Sequence, residues 1–223
     1  MVRRARRPGL RRQKGAIETL YTASPAGSVV VCLDEKGPES AKSHRGKRLL
    51  RPPADPEAAP RATQEINYGR RGGGYVFRAF LPATGDALPA PYDRRTTTNF
   101  VTFLERVERW LPAEADRVYA VLDNLSTHRA PDVLLFALAY PRWEFVYQPV
   151  CAAWLNLIEP LWKILRSLAL KGRRFETWAE ICAAIEQATA YWNAHKHPFI
   201  WGRRRHRPRR KPGIALGANV RPT

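Results

Sequence analysis

The sequence has few cysteines, no long apolar run and a shortage of acidic residues. Its three cysteines, Cys32, Cys151 and Cys182, form no closely spaced pair. This spacing argues against a disulfide framework and against a zinc site. We therefore expect each cysteine to be a small buried apolar residue. No apolar segment approaches the roughly 20 residues that span a bilayer, and none follows the basic N-terminus as in a signal peptide. We therefore expect a cytoplasmic protein that binds no membrane.

Acidic residues are outnumbered: the 223 residues include 38 Lys and Arg against 20 Asp and Glu, a net charge of +18. The excess lies at the ends, since residues 1–14 hold seven basic residues, residues 196–211 hold eight, and neither segment holds an acid. Basic tails bind polyanions, of which nucleic acid is the commonest in a cytosol. Solubility or unspecific RNA binding is the plainer interpretation. The candidate DNA-binding residues of the tails are Arg3, Arg4, Arg6, Arg7, Arg203, Arg204 and Arg205.

Apolar periodicity predicts an α/β domain. Strands are predicted at 27–34, 74–81, 87–92, 117–123 and 143–147. Helices are predicted at 16–21, 98–110, 131–140, 155–170 and 177–193. The turn signal ATGD at 83–86 makes the second and third strands a hairpin, and residues 35–62 are predicted to form a long loop. The order implies a mixed sheet, an antiparallel hairpin plus parallel strands, flanked by helices.

Two predicted strands end in an aspartate, Asp34 after VVVCL and Asp123 after VYAVL. Parallel strands of an open α/β sheet present such residues at one edge, where sites usually lie. A third acid, Glu159, opens a later helix in WLNLIEPLW. If the strands are neighbours, the three carboxylates can converge. Carboxylates suit Mg²⁺, and a pair of such ions can promote attack on a phosphodiester.

Each acid also has a plainer interpretation. An aspartate at a strand end is often a turn former or a helix cap. Asn156 and Glu159 have the spacing of a capping box, and Lys163 follows Glu159 at the spacing of a solvated ion pair. Asn156, Glu159, Lys163 and Arg166 together form a polar stripe on the predicted helix. This stripe lies beside an apolar helix face formed by Trp154, Ile158, Leu161, Leu165 and Leu168. Spacing alone leaves Glu159 undecided between cap and ligand.

The segments VLDNLSTH (121–128) and WLNLIEPLWKILRSLAL (154–170) resemble bacterial insertion-sequence transposases of the mariner superfamily, which are DDE endonucleases. In that family a D-N-x-x-x-H segment is followed about 35 residues later by L-N-x-[IV]-E, and here Asp123 precedes Glu159 by 36 positions. The family's first aspartate ends an early strand as D-E-x-G, and residues 32–37 read CLDEKG. The resemblance covers roughly residues 16–205 and implies an RNase H-like fold.

The resemblance implies that Asp34, Asp123 and Glu159 are catalytic metal ligands for Mg²⁺ or Mn²⁺, as a pair of ions. It implies nicking of double-stranded DNA at transposon ends and strand transfer into target DNA, usually at TA. Because transposition brings two ends together, we expect a homodimer. On a strand, Glu35 points away from Asp34. Trp154 is expected to position the helix, and His128 can orient a carboxylate, touch DNA, cap a turn or fill the core. The candidate residues behind the ligands or in contact with DNA are Glu35, Asn124, His128, Asn156, Lys163 and Arg166.

The resulting domain plan is a basic segment over 1–27, an RNase H-like catalytic domain over 28–195 and a basic tail over 196–223. Family members usually carry one or two N-terminal helix-turn-helix domains of about 100 residues or more, whereas only some 27 residues precede the first predicted strand. We therefore expect a truncated, frameshifted or split transposase that is nucleoid-associated and whose tails bind DNA without reading sequence. A catalytically inactive DNA-binding remnant and an RNase H-like nuclease with another substrate remain as rival hypotheses.

Overall fold

The computed structural model describes residues 8–40, 50–51, 63–64, 72–150, 152–173 and 175–201. Its helices are α1 (Pro8–Thr22), α2 (Thr97–Trp110), α3 (Pro131–Ala139), α4 (Ile158–Ala169) and α5 (Trp178–Ala194), with 3₁₀ turns at Ser126–Arg129 and Ala153–Leu155. Its strands are β1 (Ser28–Ser40), β2 (Leu50–Arg51), β3 (Thr63–Gln64), β4 (Gly73–Phe80), β5 (Ala87–Tyr92), β6 (Arg117–Leu122) and β7 (Trp143–Tyr147). None of the helices described is both long enough and apolar enough to cross a membrane.

Five strands form one mixed sheet in the order β5-β4-β1-β6-β7. The β4–β5 hairpin is antiparallel, and β4 pairs antiparallel with β1. On its other side, β1 pairs parallel with β6, which pairs parallel with β7. Strands β2 and β3 form a separate antiparallel pair. The mixed sheet with flanking helices confirms the fold class predicted from the sequence.

The first strand is longer than the sequence predicts. The sequence pattern ends the strand at Asp34 and opens the long loop at 35–62, but β1 continues to Ser40 because its second half pairs with β4. The pairing with β6 ends earlier, at Cys32 and Val121. Asp34 therefore lies inside the strand, two residues beyond its parallel section. The rest of the predicted loop contains β2 and otherwise lies outside the described residues.

Two apolar clusters cover the two faces of the sheet, because successive side chains of a strand point to opposite faces. On one face, Cys32 and Val121 pack against α1, α4 and α5. On the other face, Leu33 and Phe77 pack against α2 and α3. The expectation that every cysteine is buried is met by Cys32 but not by Cys182, which is half-buried, and Cys151 lies outside the described residues.

Helix α4 departs from two expectations. Its N-cap is Leu157, with no side-chain cap, so Asn156 and Glu159 do not form a capping box. Ile158, Leu161 and Leu165 are buried as predicted, but Trp154 is 57% exposed and Leu168 is 42% exposed. The reason is that α4 begins after Trp154, and Trp162 and Ala169 complete the buried face instead.

Segments on either side of residues 28–195 also pack on the sheet domain. Ile17 of α1 is fully buried, and the Tyr21 hydroxyl donates a hydrogen bond to the Leu155 carbonyl at 2.9 Å. The rings of Phe199 and Phe80 lie 4.8 Å apart. Helix α1 and the residues around Phe199 therefore contribute to the same apolar core as α4 and α5.

Leu104 and Leu138 provide a matched test of this packing, because Leu104 is fully buried on α2 whereas Leu138 is 75% exposed on α3. We expect Leu104→Ala to lower the free energy of unfolding by about 2–5 kcal/mol, since it removes buried methyl groups and leaves a cavity. Leu138→Ala should change it by less than about 0.5 kcal/mol. Urea unfolding followed by circular dichroism measures both, and equal effects would contradict this assignment of the core.

Candidate active site

The parallel pairing of β1 with β6 brings Asp34 and Asp123 to matching positions. Cys32 and Val121 are the last paired residues, and each aspartate follows two residues later. The two aspartates therefore continue the same register on neighbouring strands. Asp34 is half-buried, and the side chain of Asp123 is 44% exposed.

Two hydrogen bonds attach the α4 region to β1 beside Asp34. The buried Asn156 side chain donates from Nδ2 to the Leu33 carbonyl at 3.0 Å, and the Trp162 indole Nε1 donates to Asp34 Oδ2 at 2.7 Å. Glu159 lies between these two contacts in sequence. The first turn of α4 is thereby held next to Asp34, close enough for the charge of Glu159 to raise the pKa of Asp34.

Asp34 occupies a site that disfavours its charged form. Its pKa is raised to about 7, chiefly because the carboxyl is buried. The hydrogen bond from Trp162 opposes this rise, and the negative charges of Glu159 and Glu35 add to it. The backbone N–H of Glu35 donates to Asp34 Oδ1 at 2.9 Å. A buried carboxyl in this state gains from any cation that reaches it.

Arg78 is a site residue that the sequence analysis missed. It is the cross-strand partner of Asp34, it is 1% exposed, and its guanidinium carbon lies 4.1 Å from the centroid of the Trp162 ring. Its Nε and Nη1 have no hydrogen-bond partner among the described residues. Burial lowers the pKa of Arg78 to about 9, and the charge of Asp34 opposes this effect. A single cation within the apolar strand GYVFRAFL was the available signal.

His128 connects Asp123 to Glu35. Its Nε2 lies 2.6 Å from Glu35 Oε1 and its Nδ1 lies 3.0 Å from Asp123 Oδ1. Glu35 lies on the sheet face opposite Asp34, as strand alternation predicts, and its side chain is 2% exposed. Burial lowers the pKa of His128, but hydrogen bonds to the two carboxylates outweigh burial and raise it to about 9. Burial opposes ionisation of Asp123, but the bond from His128 holds the pKa of Asp123 below its usual value.

The other predicted site residues lie around these contacts. Asn124 donates to the Gln148 carbonyl and accepts from Arg129, which ties together the segments that follow β6 and β7. Lys163 and Arg166 are exposed on α4. Arg166 lines a cleft together with Lys36 and Arg78. The basic tail residues Arg3, Arg4, Arg6, Arg7, Arg203, Arg204 and Arg205 lie outside the described residues.

The side-chain contacts of Glu159 and Trp154 differ from those that helix spacing indicates. Within the described part of the chain, the side chain of Glu159 makes no hydrogen bond or ion pair, so the alternative ion pair with Lys163 is absent. The carboxylate of Glu159 is therefore not engaged by the fold. Trp154 stacks on Trp201, with ring centroids 6.2 Å apart. It lies in the 3₁₀ turn that precedes α4.

The donor set fits a hard divalent cation. Asp34, Asp123 and Glu159 offer carboxylate oxygens, which Mg²⁺ and Mn²⁺ prefer, and burial raises the pKa of Asp34, so a further cation beside it would favour its charged form. Among the described residues, however, no group of three or more His, Cys, Asp or Glu side chains is gathered tightly enough to hold a metal ion. The chemistry of the three acids therefore suits a divalent cation, and joint binding of one ion requires their carboxylates to move closer together.

The raised pKa of Asp34 gives a pH-dependent prediction for metal-free protein. The folded state keeps the Asp34 proton up to a pH of about 7, whereas the unfolded chain releases it near 3.8. Ionisation of Asp34 therefore makes wild-type stability fall as the pH rises from about 4 to 7, by up to about 4 kcal/mol. Asp34→Asn removes this fall, although the amide also loses a hydrogen-bond acceptor at every pH.

We expect the stability of Asp34→Asn relative to wild type to rise between pH 4 and pH 8. The measurement is urea unfolding in EDTA at both pH values. The exposed carboxylate Glu114 supplies the control, since Glu114→Gln should keep the wild-type pH dependence. The same pH dependence in wild type and Asp34→Asn would show that folding does not raise the pKa of Asp34.

Comparison with known proteins assigns the chain to a family. A family model described as DDE superfamily endonuclease matches residues 29–182. Over 100 residues the chain is 22% identical to the insertion element IS630 uncharacterized 39 kDa protein of Shigella sonnei, which covers 45% of this chain and 29% of that protein.

The fold is also similar to solved structures of Mos1 transposase. The paired-end complex with the left transposon end gives a TM-score of 0.56 at 18% identity, covering 90% of this chain and 61% of that chain. The Mos1 catalytic domain with Raltegravir and Mg gives a TM-score of 0.54 at 15% identity, covering 89% of each chain. These likenesses show the RNase H-like fold, and the chain spans less than two thirds of the longer relatives. Because the family model covers most of its length, the chain belongs to the DDE superfamily endonucleases.

Proposed function

We propose that this chain carries the catalytic domain of a DNA transposase, with Asp34, Asp123 and Glu159 as its metal-binding acids. The proposed reaction is hydrolysis of phosphodiester bonds at transposon ends, followed by transfer of the 3′-OH strand into target DNA at TA. The observation that carries this proposal is the shared register of β1 and β6, which gives the two aspartates matching positions, with Asp34 held next to the first turn of α4. The proposed catalytic domain spans 28–195.

The proposed cofactor is a pair of Mg²⁺ or Mn²⁺ ions held by the three acids. Such ions activate the attacking hydroxyl and stabilise the leaving alkoxide. The chain's own contribution is orientation: Trp162 and the Glu35 backbone N–H fix the two oxygens of Asp34, and Arg78 offsets part of the negative charge. Structures of the Mos1 catalytic domain with Mg and with Mn support this choice of metals.

The proposed partner is double-stranded DNA, both transposon ends and target. The net charge of +18 and the likeness to Mos1 complexes with transposon ends support it. We propose that the basic segments 1–27 and 196–223 contact the DNA backbone. We also propose that the protein acts as a homodimer, because two transposon ends must be joined. Its proposed location is the nucleoid in the cytoplasm. Contacts to phosphates position a protein without reading sequence.

Nicking of supercoiled plasmid in Mn²⁺ tests the proposed chemistry. We expect wild-type protein to nick the plasmid, EDTA to abolish nicking, and Asp123→Asn to reduce the rate by about 100-fold or more, because it removes a ligand charge worth several kcal/mol in the transition state. Asp132→Asn is the matched control, because Asp132 is an exposed acid in the first turn of α3. That variant should nick at the wild-type rate.

The same assay separates the rival functions. A catalytically inactive remnant would bind the plasmid but not nick it, and Asp123→Asn would change nothing. An RNase H-like nuclease with another substrate would nick without preferring transposon-end DNA over a scrambled duplex of equal length. Preference for end DNA together with dependence on Asp123 supports the transposase.

A further inference from the structure

A buried histidine lies between carboxylates from two neighbouring strands. His128 is 1% exposed, with Nε2 2.6 Å from Glu35 Oε1 and Nδ1 3.0 Å from Asp123 Oδ1. We propose that Glu35 and His128 act as a pair of positioning residues that fix the Asp123 carboxylate, so that its Oδ1 faces the protein and its Oδ2 faces the metal. This inference rests on the proposed function only in naming Asp123 as a metal ligand.

Besides the two carboxylates, a ring contact and a backbone hydrogen bond restrict His128. The ring lies against Phe100 of α2, with centroids 4.3 Å apart. The backbone carbonyl of His128 accepts a hydrogen bond from the Tyr147 hydroxyl at 2.8 Å, which attaches the 3₁₀ turn Ser126–Arg129 to β7. The ring therefore has a fixed direction before any ligand binds, as a positioning residue requires.

This fixed ring restricts Asp123. The carboxylate follows the end of β6, where χ2 of an aspartate otherwise varies broadly. Here Oδ1 forms an ion pair with His128 Nδ1 at 3.0 Å and accepts a hydrogen bond from the Leu125 backbone N–H at 3.0 Å. His128 Nδ1 also lies 3.4 Å from the Asp123 backbone carbonyl. No described residue donates a hydrogen bond to Oδ2, and the side chain is 44% exposed. One oxygen is thus engaged by the protein, and the other remains available on the open side.

Glu35 makes the second half of the pair. A buried carboxylate is costly unless it is paired, yet Glu35 is 2% exposed at its side chain and its Oε2 has no hydrogen-bond partner among the described residues. Its short contact with His128 Nε2 fixes which ring nitrogen faces Asp123. A carboxylate behind a histidine in this way orients ring and ligand together, and loss of such an outer contact typically costs metal sites about 10–100-fold in affinity or activity.

Two substitutions at position 128 separate the two contacts. The amide nitrogen of Asn lies close to the position of Nδ1 and can still donate to Asp123, whereas the amide nitrogen of Gln lies close to Nε2 and can donate only to Glu35. We expect His128→Gln to lose about 10–100-fold in Mn²⁺ affinity and in kcat for nicking. His128→Asn should retain more of both, and KM for DNA should stay unchanged in each variant.

Mn²⁺ affinity is measured by electron paramagnetic resonance of free Mn²⁺, alongside thermal melting in EDTA and nicking kinetics. The control is His195→Gln, because His195 is exposed and lies outside the site; it should match wild type in all three. Greater loss of Mn²⁺ affinity in His128→Gln than in His128→Asn, at similar melting temperatures, supports the positioning role. A purely structural histidine would lower the melting temperature in both variants and leave Mn²⁺ affinity unchanged, which would overturn the inference.

Comparison of the Asp123 and His128 variants distinguishes a wrong positioning role from a wrong function. If Asp123→Asn loses Mn²⁺ binding and nicking but both His128 variants keep them, the positioning role is wrong and the transposase proposal stands. If Asp123→Asn keeps both properties, Asp123 is not a ligand, the proposed function is wrong, and no ligand remains for His128 to position.

Discussion

The parallel pairing of β1 with β6 is the constraint on which the rest of the site depends. It ends at Cys32 and Val121, and both aspartates then follow at equal distance along neighbouring strands. Beyond that point β1 and β6 no longer pair with each other. β1 continues to pair with β4, and β6 ends before the segment that contains His128. The acids thus occupy the place where the sheet changes from parallel to antiparallel pairing, and each strand brings its own supporting contacts.

These supporting contacts place charges in the protein interior at a cost to stability. Asp34 is held in a buried position that raises its pKa to about 7, and Arg78 is buried beside it with two nitrogens that lack hydrogen-bond partners within the described chain. Such groups are costly unless they are paired. The two apolar clusters on the faces of the sheet supply the stability that tolerates this arrangement. Local destabilisation of this kind is common where a protein must bind a charged ligand.

Apolar periodicity is enough to predict α2 to α5 and the parallel strands, because each of these buries a regular face, and the turn signal ATGD predicts the hairpin. It predicts the first helix only over 16–21, whereas α1 begins at Pro8, because the basic first half of α1 carries no apolar face. It fails for β1 beyond Asp34, because EKGPES has no apolar alternation and owes its strand form to β4. Alternation also predicts that Glu35 points away from Asp34. The contact of Glu35 with His128 joins residues 93 positions apart, and local patterns carry no such information. Motif resemblance, rather than periodicity, selects Glu159 over other acids.

Asp34 and Glu35 are adjacent, yet each serves a different face of the sheet: Asp34 meets Trp162 on the α4 side, and Glu35 meets His128 on the α2 side. An insertion or deletion of one residue earlier in β1 would exchange these faces. A change of two residues would keep the faces but move both acids by about 7 Å along the strand. The number of residues in β1 between its start at Ser28 and this acidic pair therefore decides both which face each acid serves and whether Asp34 lines up with Asp123.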